Sequence, residues 1–287
     1  MPDLSFFLPL ILQSALIPFG VALAVLAAAR ALRAGPAAPA LAVAAGFLAA
    51  YFAILHGQWS PLPKAALDWL PWIALAALAS APVECIANAA WRLATRLALA
   101  VAVGAVVVWP ALAGLGLQKA MLLAGTAGVL MCAVWTYMAR SADSRRTPPW
   151  LLALVAGGAA LALMLDSSQS IGQLSGALAS ALAAGVAFNL PRLRMAFSPA
   201  AAGTAVLILG ALLANAVVYA GFPPGYVALL VGALAVDPLV RTLNRLRSGG
   251  EGAGTWALTT VLTVLTAIPV GATVFLAVKA ASDAGGY

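Results

Sequence analysis

Between two runs of nearly pure Ala, Leu, Val and Gly, residues 163–176 read LMLDSSQSIGQLSG. Asp166 is followed there by hydroxyls and by the amides of Gln169 and Gln173. A carboxylate and two amides at that spacing are groups that can line a polar mouth for a solute. Asn215, in the outer half of an expected eighth helix, and Asp68, at the outer end of an expected third, extend the set. The candidate vestibule is therefore Asp68, Asp166, Gln169, Gln173 and Asn215. A turn explains the same residues without a solute. Ser170 followed three residues later by Gln173 is a capping-box pattern. Asp166 would be solvated beside the positive N-terminus of the next helix. Gly172, Gly176, Ser180 and Ala184 recur every four residues, a stripe that lets another helix approach closely.

Asp237 stands inside an apolar run beside Pro238, with Arg241 four residues on. That spacing predicts a local ion pair at the membrane interface, since a lone carboxylate in lipid is costly. IPFG at 17–20 and IPVG at 268–271 place Pro18, Gly20, Pro269 and Gly271 near the middles of the first and last apolar runs. Each proline removes an amide donor, so both helices are expected to kink. The freed backbone either lines a substrate cavity or is satisfied again by neighbouring helices. His56 falls in a polar connection, and Cys85 and Cys132 share no metal-ligand spacing, so both cysteines are expected to pack. No phosphate loop, HExxH or Gly-rich nucleotide fingerprint is present. These residues predict no cofactor, no metal and no enzyme activity.

The elements that must position these groups follow from solvent. Of 287 residues, 64% are hydrophobic and 8% charged, against about 25% charged in soluble domains. The solvent is lipid, and apolar runs of about 20 residues without strand alternation predict an all-α, polytopic transmembrane helical bundle. Ten spans are expected at roughly 4–29, 36–56, 66–83, 93–115, 119–139, 150–166, 170–190, 198–221, 225–240 and 256–279. The third, broken by Pro71 and Pro82, and the short ninth are the weakest of these. The opening MPDLSFF has no basic n-region, so it is read as a retained first span.

The charges test that count. Arg30, Arg33, Arg92, Arg96, Arg140, Arg145, Arg146, Arg192, Arg194, Arg241, Arg245 and Arg247 fall at one end of the ten spans. Only Lys64, Lys119 and Lys279 fall at the other. Basic loops mark the cytoplasmic side, which puts both termini outside and suits a bacterial inner membrane. The net charge of +7 thus records orientation, and no nucleic-acid partner is expected.

The chain is expected to form a single membrane domain over 1–287. Its halves, 1–139 and 150–287, are joined by the charged linker 140–149. Five spans on each side run in opposite senses, the inverted-repeat topology of many secondary transporters. Scarce intramembrane charge then favours a neutral or amphipathic small-molecule solute. The alternative is a non-catalytic subunit or scaffold of a larger membrane complex, binding a partner or a second copy through small-residue helix faces.

Overall fold

The structure is a computed structural model that describes residues 4–142, 147–190, 192–248 and 255–283. Residues 143–146 of the expected linker lie outside these described residues, as do the side chains of Arg245, Arg247 and Trp256. The described residues form a helical bundle without strands. We number the helices in chain order. α1 is a continuous run of Leu4–Ile11, a π-helical Leu12–Leu16 and Ile17–Ala31. α2 is Ala38–Ile54 and α3 is Leu70–Ala79, flanked by 3-10 turns at Ala66–Trp69 and Ala81–Cys85. α4 is Ala89–Val108, α5 Leu117–Ala142, α6 Thr147–Asp166 and α7 Gln169–Phe188. α8 is Pro199–Tyr219, α9 Pro224–Ser248 and α10 Thr255–Asp283. Among the described residues nine helical runs are long and apolar enough to cross a bilayer, and α2, at 17 residues, is the shorter tenth. The chain is a multi-pass membrane protein.

Local chemistry explains where the elements depart from expectation. The third span is broken into three because Pro71 and Pro82 each open a helical turn, the position where a missing N–H costs least. The ninth runs past its expected end because Pro238 removes only one backbone bond, and the Thr242 hydroxyl donates to the Pro238 carbonyl at 2.8 Å. α7 starts at Gln169, not 170, and its cap is Ser168, whose side chain accepts from the Ile171 amide. The capping box expected at Ser170 and Gln173 is therefore displaced by two residues, since the helix takes the first serine able to adopt an extended backbone.

α8 is the central element. It packs on α2, α3, α4, α5, α6 and α7 and is buried on nearly every face, as an all-round apolar helix must be. α1 packs on α2 and α7, α4 on α5, and α6 on α7 and α10, so contacts cross freely between the first five helices and the last five. The Arg30 guanidinium donates to the Arg194 carbonyl at 3.1 Å, which ties the end of α1 to the α7–α8 loop. At the opposite end Tyr219 of α8 donates to the Val107 carbonyl of α4 at 2.9 Å. We call these the arginine end and the lysine end.

Both proline-bearing terminal helices stay wound. In α1 the π turn precedes Pro18, and α2 crosses there at Gly46, where a Cβ would stand 2.7 Å from the Pro18 carbonyl oxygen. α10 is α-helical through Pro269, and Gly158 of α6 admits Val270 at a distance no side chain would permit. Gly20 and Gly271 have no atom within 4 Å of a Cβ position. They serve no close approach.

Candidate functional site

The five vestibule residues have separate surroundings. Asp68 is buried, and its Oδ2 accepts from the Lys64 and Ala65 amides at 2.9 Å each, capping its own 3-10 turn. Asp166 ends α6 and accepts from the Ser167 hydroxyl at 3.2 Å. Gln169 is exposed at the start of α7, while Gln173, one turn on, is buried. Asn215 is buried in α8; its amide donates to the Ala211 carbonyl at 2.9 Å, and its Oδ1 has no partner. Among the described residues no hydrogen bond joins any two of the five.

The small-residue stripe beside them is occupied inside the fold. Gly172 faces the Ala160 carbonyl of α6, Gly176 lies between Ala160 and Ser14, and the Ser180 hydroxyl reaches the Ser14 carbonyl of α1. Ala184 packs in a cluster with Ala22 and Leu26. Of the cysteines, Cys132 is buried as expected, whereas Cys85 is exposed at the end of its 3-10 turn.

Two buried ionic clusters form around consecutive residues of α5. In the first, Asp237 of α9 is 2% exposed. Its Oδ1 accepts from the Arg241 Nε at 2.7 Å and its Oδ2 from the Tyr137 hydroxyl of α5. The ion pair between Asp237 and Arg241 is one helical turn long, as the spacing predicts, but the tyrosine makes it a tie between two helices. In the second, Arg96 of α4 forms a forked pair with Glu84, which follows α3. Arg96 also lies 5.5 Å from the centre of the Trp135 ring and donates to Thr136 at 3.4 Å. Arg96 is thus buried, whereas charge distribution placed it among the loop arginines.

Sequence reasoning missed Tyr137, Glu84 and the Trp135–Thr136 contacts. A signal existed for Glu84: it is the only acidic residue between Asp68 and Asp143, so any buried arginine of α4 had to meet it. None existed for Tyr137, because its partner is 100 residues away.

Above the first cluster lies a groove of about 530 Å³. α8 packs on α5, while α9 packs on α6 and α10, and the space between these two sets is left open. Its walls are Leu123, Leu130 and Val134 of α5 and Val227, Val231 and Leu234 of α9. Gly210 of α8 lies on its floor and Gly232 of α9 on its rim. Thr126 is the one polar side chain lining it, and that hydroxyl is bonded to the Leu122 carbonyl at 2.7 Å. The groove offers almost nothing but hydrocarbon.

Its end is chemically different. Leu123, Leu130 and Tyr137 fall seven apart on one face of α5, while Leu234, Asp237 and Arg241 continue the groove face of α9 at steps of three and four. The stripe that is apolar along the groove therefore becomes phenol, carboxylate and guanidinium at the arginine end. Tyr137 follows the lining residue Val134 by three positions and Asp237 follows Ala235 by two. No family model, curated protein or solved structure matches this chain in comparison with known proteins.

Proposed function

We propose that the protein is a secondary transporter of a small amphipathic solute, without catalytic chemistry of its own, in a bacterial cytoplasmic membrane. The observation that carries this reading is the groove, apolar nearly throughout, with α5 and α9 joined within a turn of its last lining residues by the hydrogen bond from Tyr137 to Asp237; in this reading that tie shuts the path at the arginine end. Alternating access needs a path open toward one side and closed toward the other by contacts few enough to break. In this reading, parting Tyr137 from Asp237 loosens the tie between α5 and α9 and lets α9 shift against α5. The basic loops face the cytoplasm in this reading, both termini are outside, and the groove opens outward. An apolar lining selects a solute with a hydrocarbon body over a bare ion, which would need oxygens to replace its water.

The alternative, a scaffold subunit, relied on small-residue helix faces as partner surfaces. The α7 stripe is covered by α1 and α6, which supports transport over that reading. Translocation of fluorescent amphipathic solutes by the purified protein in liposomes tests the proposal. Wild-type protein is expected to exceed protein-free vesicles, and Gly232→Leu, which fills the groove, is expected to match them. A folded wild-type protein that moves no member of a chemically varied panel, and co-purifies with another membrane protein at fixed stoichiometry, would overturn it.

A further inference from the structure

We propose that the loops after α1 and α7 together form a docking site for the headgroup of an anionic membrane phospholipid, held by Arg30, Arg33, Arg192 and Arg194 at the arginine end. The inference concerns a surface apart from the groove and does not rest on transport. Three observations carry it.

The first is uncompensated charge that the fold brings together. Arg30 donates to the Arg194 carbonyl at 3.1 Å, so segments 164 residues apart in sequence lie side by side. The Asn189 Oδ1 accepts from the Arg194 and Met195 amides at 2.8 and 2.9 Å, which fixes the α7–α8 loop in that position. All four arginines are exposed, and none forms an ion pair among the described residues, whose two pairs are Glu84–Arg96 and Asp237–Arg241. The helix ends do not neutralise them. Each loop joins the C-terminus of one helix to the N-terminus of the next, α1 to α2 and α7 to α8, so the opposed partial charges cancel. Four positive charges remain for an anion to meet.

The second is the backbone at Arg33. α1 ends with the Ala34 amide donating to the Ala29 carbonyl at 2.8 Å and the Arg33 amide to the Arg30 carbonyl at 3.2 Å, the Schellman pattern. Glycine normally takes the left-handed position of that motif, yet Arg33 takes it here at φ 53°, the only residue other than glycine with a positive φ among the described residues. Glycine would close the turn at less cost, so what position 33 adds is a guanidinium. The third is hydrocarbon beside the charge. Residues 30–33 read RALR and 190–194 read LPRLR, and Leu32 is 80% exposed, Leu190 44% and Leu193 46%. A soluble anion gives these leucines nothing to contact. A phospholipid offers phosphate oxygens to the guanidiniums and hydrocarbon to the leucines.

The test titrates phosphatidylglycerol, phosphatidylcholine or glycerol 3-phosphate into purified full-length protein in neutral-detergent micelles and follows thermal unfolding, since a ligand of the folded state raises the melting temperature. Phosphatidylglycerol is expected to raise it, and the other two at equal concentration are not. Arg33→Gly separates binding from folding. Glycine suits the left-handed position, so the melting temperature without lipid should hold or rise while the affinity for phosphatidylglycerol falls about fivefold, the effect of one basic residue near a membrane surface. Arg192→Gln should lower that affinity by a similar factor. Arg140→Gln, which removes an exposed arginine of α5, should bind as wild type does. Equal shifts from phosphatidylglycerol and phosphatidylcholine would overturn the proposal, as would an equal shift from glycerol 3-phosphate, which would assign the patch to soluble phosphate. A loss at Arg140→Gln as large as at Arg33→Gly would reduce the effect to general surface charge and overturn it too, and so would wild-type affinity in Arg33→Gly.

Discussion

The hydroxyl of Ser180 on α7 donates to the backbone carbonyl of Ser14 on α1 across 3.2 Å. Pro18, four residues after Ser14, has no N–H to offer that carbonyl, so a distant helix replaces the missing donor. The proline in α1 is thereby part of how α1 and α7 hold together. Ser180→Ala is expected to cost about 1 kcal/mol. Restoring the backbone donor with Pro18→Ala should remove most of that cost, and thermal unfolding of the two single variants and the double variant measures it. Strict additivity would mean that the hydroxyl does not serve the freed carbonyl.

Glu84 and Arg96 form a buried pair whose side chains are 10% and 7% exposed. Removing one member leaves the other charge unpaired in an apolar setting, so Glu84→Gln should destabilise by about 3 kcal/mol or more. Replacing both with apolar residues, Glu84→Leu with Arg96→Met, should cost less than Glu84→Gln alone. Melting temperatures of the purified variants decide between these, and a double variant worse than the single one would contradict the account.

Close helix contact makes a sharp prediction at two glycines. Gly158 lies against Val270, while Gly232 borders open groove. Gly158→Leu should therefore force α6 and α10 apart and lower stability by more than about 1 kcal/mol. Gly232→Leu should leave it unchanged or raise it, because leucine is the better helix former. Similar losses at the two positions would refute the assignment of Gly158 to a packing contact.

At the α6–α7 turn, Ser168 rather than Ser170 caps the helix. Ser168→Ala should cost about 1 kcal/mol and Ser170→Ala a small fraction of that. Chemical denaturation of the pair gives the ranking, and the reverse order would restore the capping box read from sequence.

Orientation is open to a direct check. Reporters fused after Tyr287 and inserted near Ser141 should lie on opposite sides, with the Ser141 site in the cytoplasm. A cytoplasmic signal from the C-terminal fusion would show that the basic loops do not mark the inner face.

What the sequence determined by itself was solvent and gross architecture. With 64% hydrophobic residues in successive runs long enough to cross lipid, only a helical bundle satisfies the backbone, and that needs no knowledge of which helix meets which. The Asp237–Arg241 pair was equally legible, because four residues is one helical turn and the contact is local. Tertiary structure decided everything that joins distant segments. The hydroxyl of Tyr137 reaches Asp237 across 100 positions, and Arg96 turns inward to Glu84 instead of outward to headgroups. The groove exists because α9 packs with α6 and α10 and not along α8. In an Ala/Leu-rich chain nearly every helix face is apolar enough to meet lipid or protein, so the pattern cannot say which pairs will close and which will stay open. Side-chain volume and a few buried charges make that choice, and they act only once the helices are side by side.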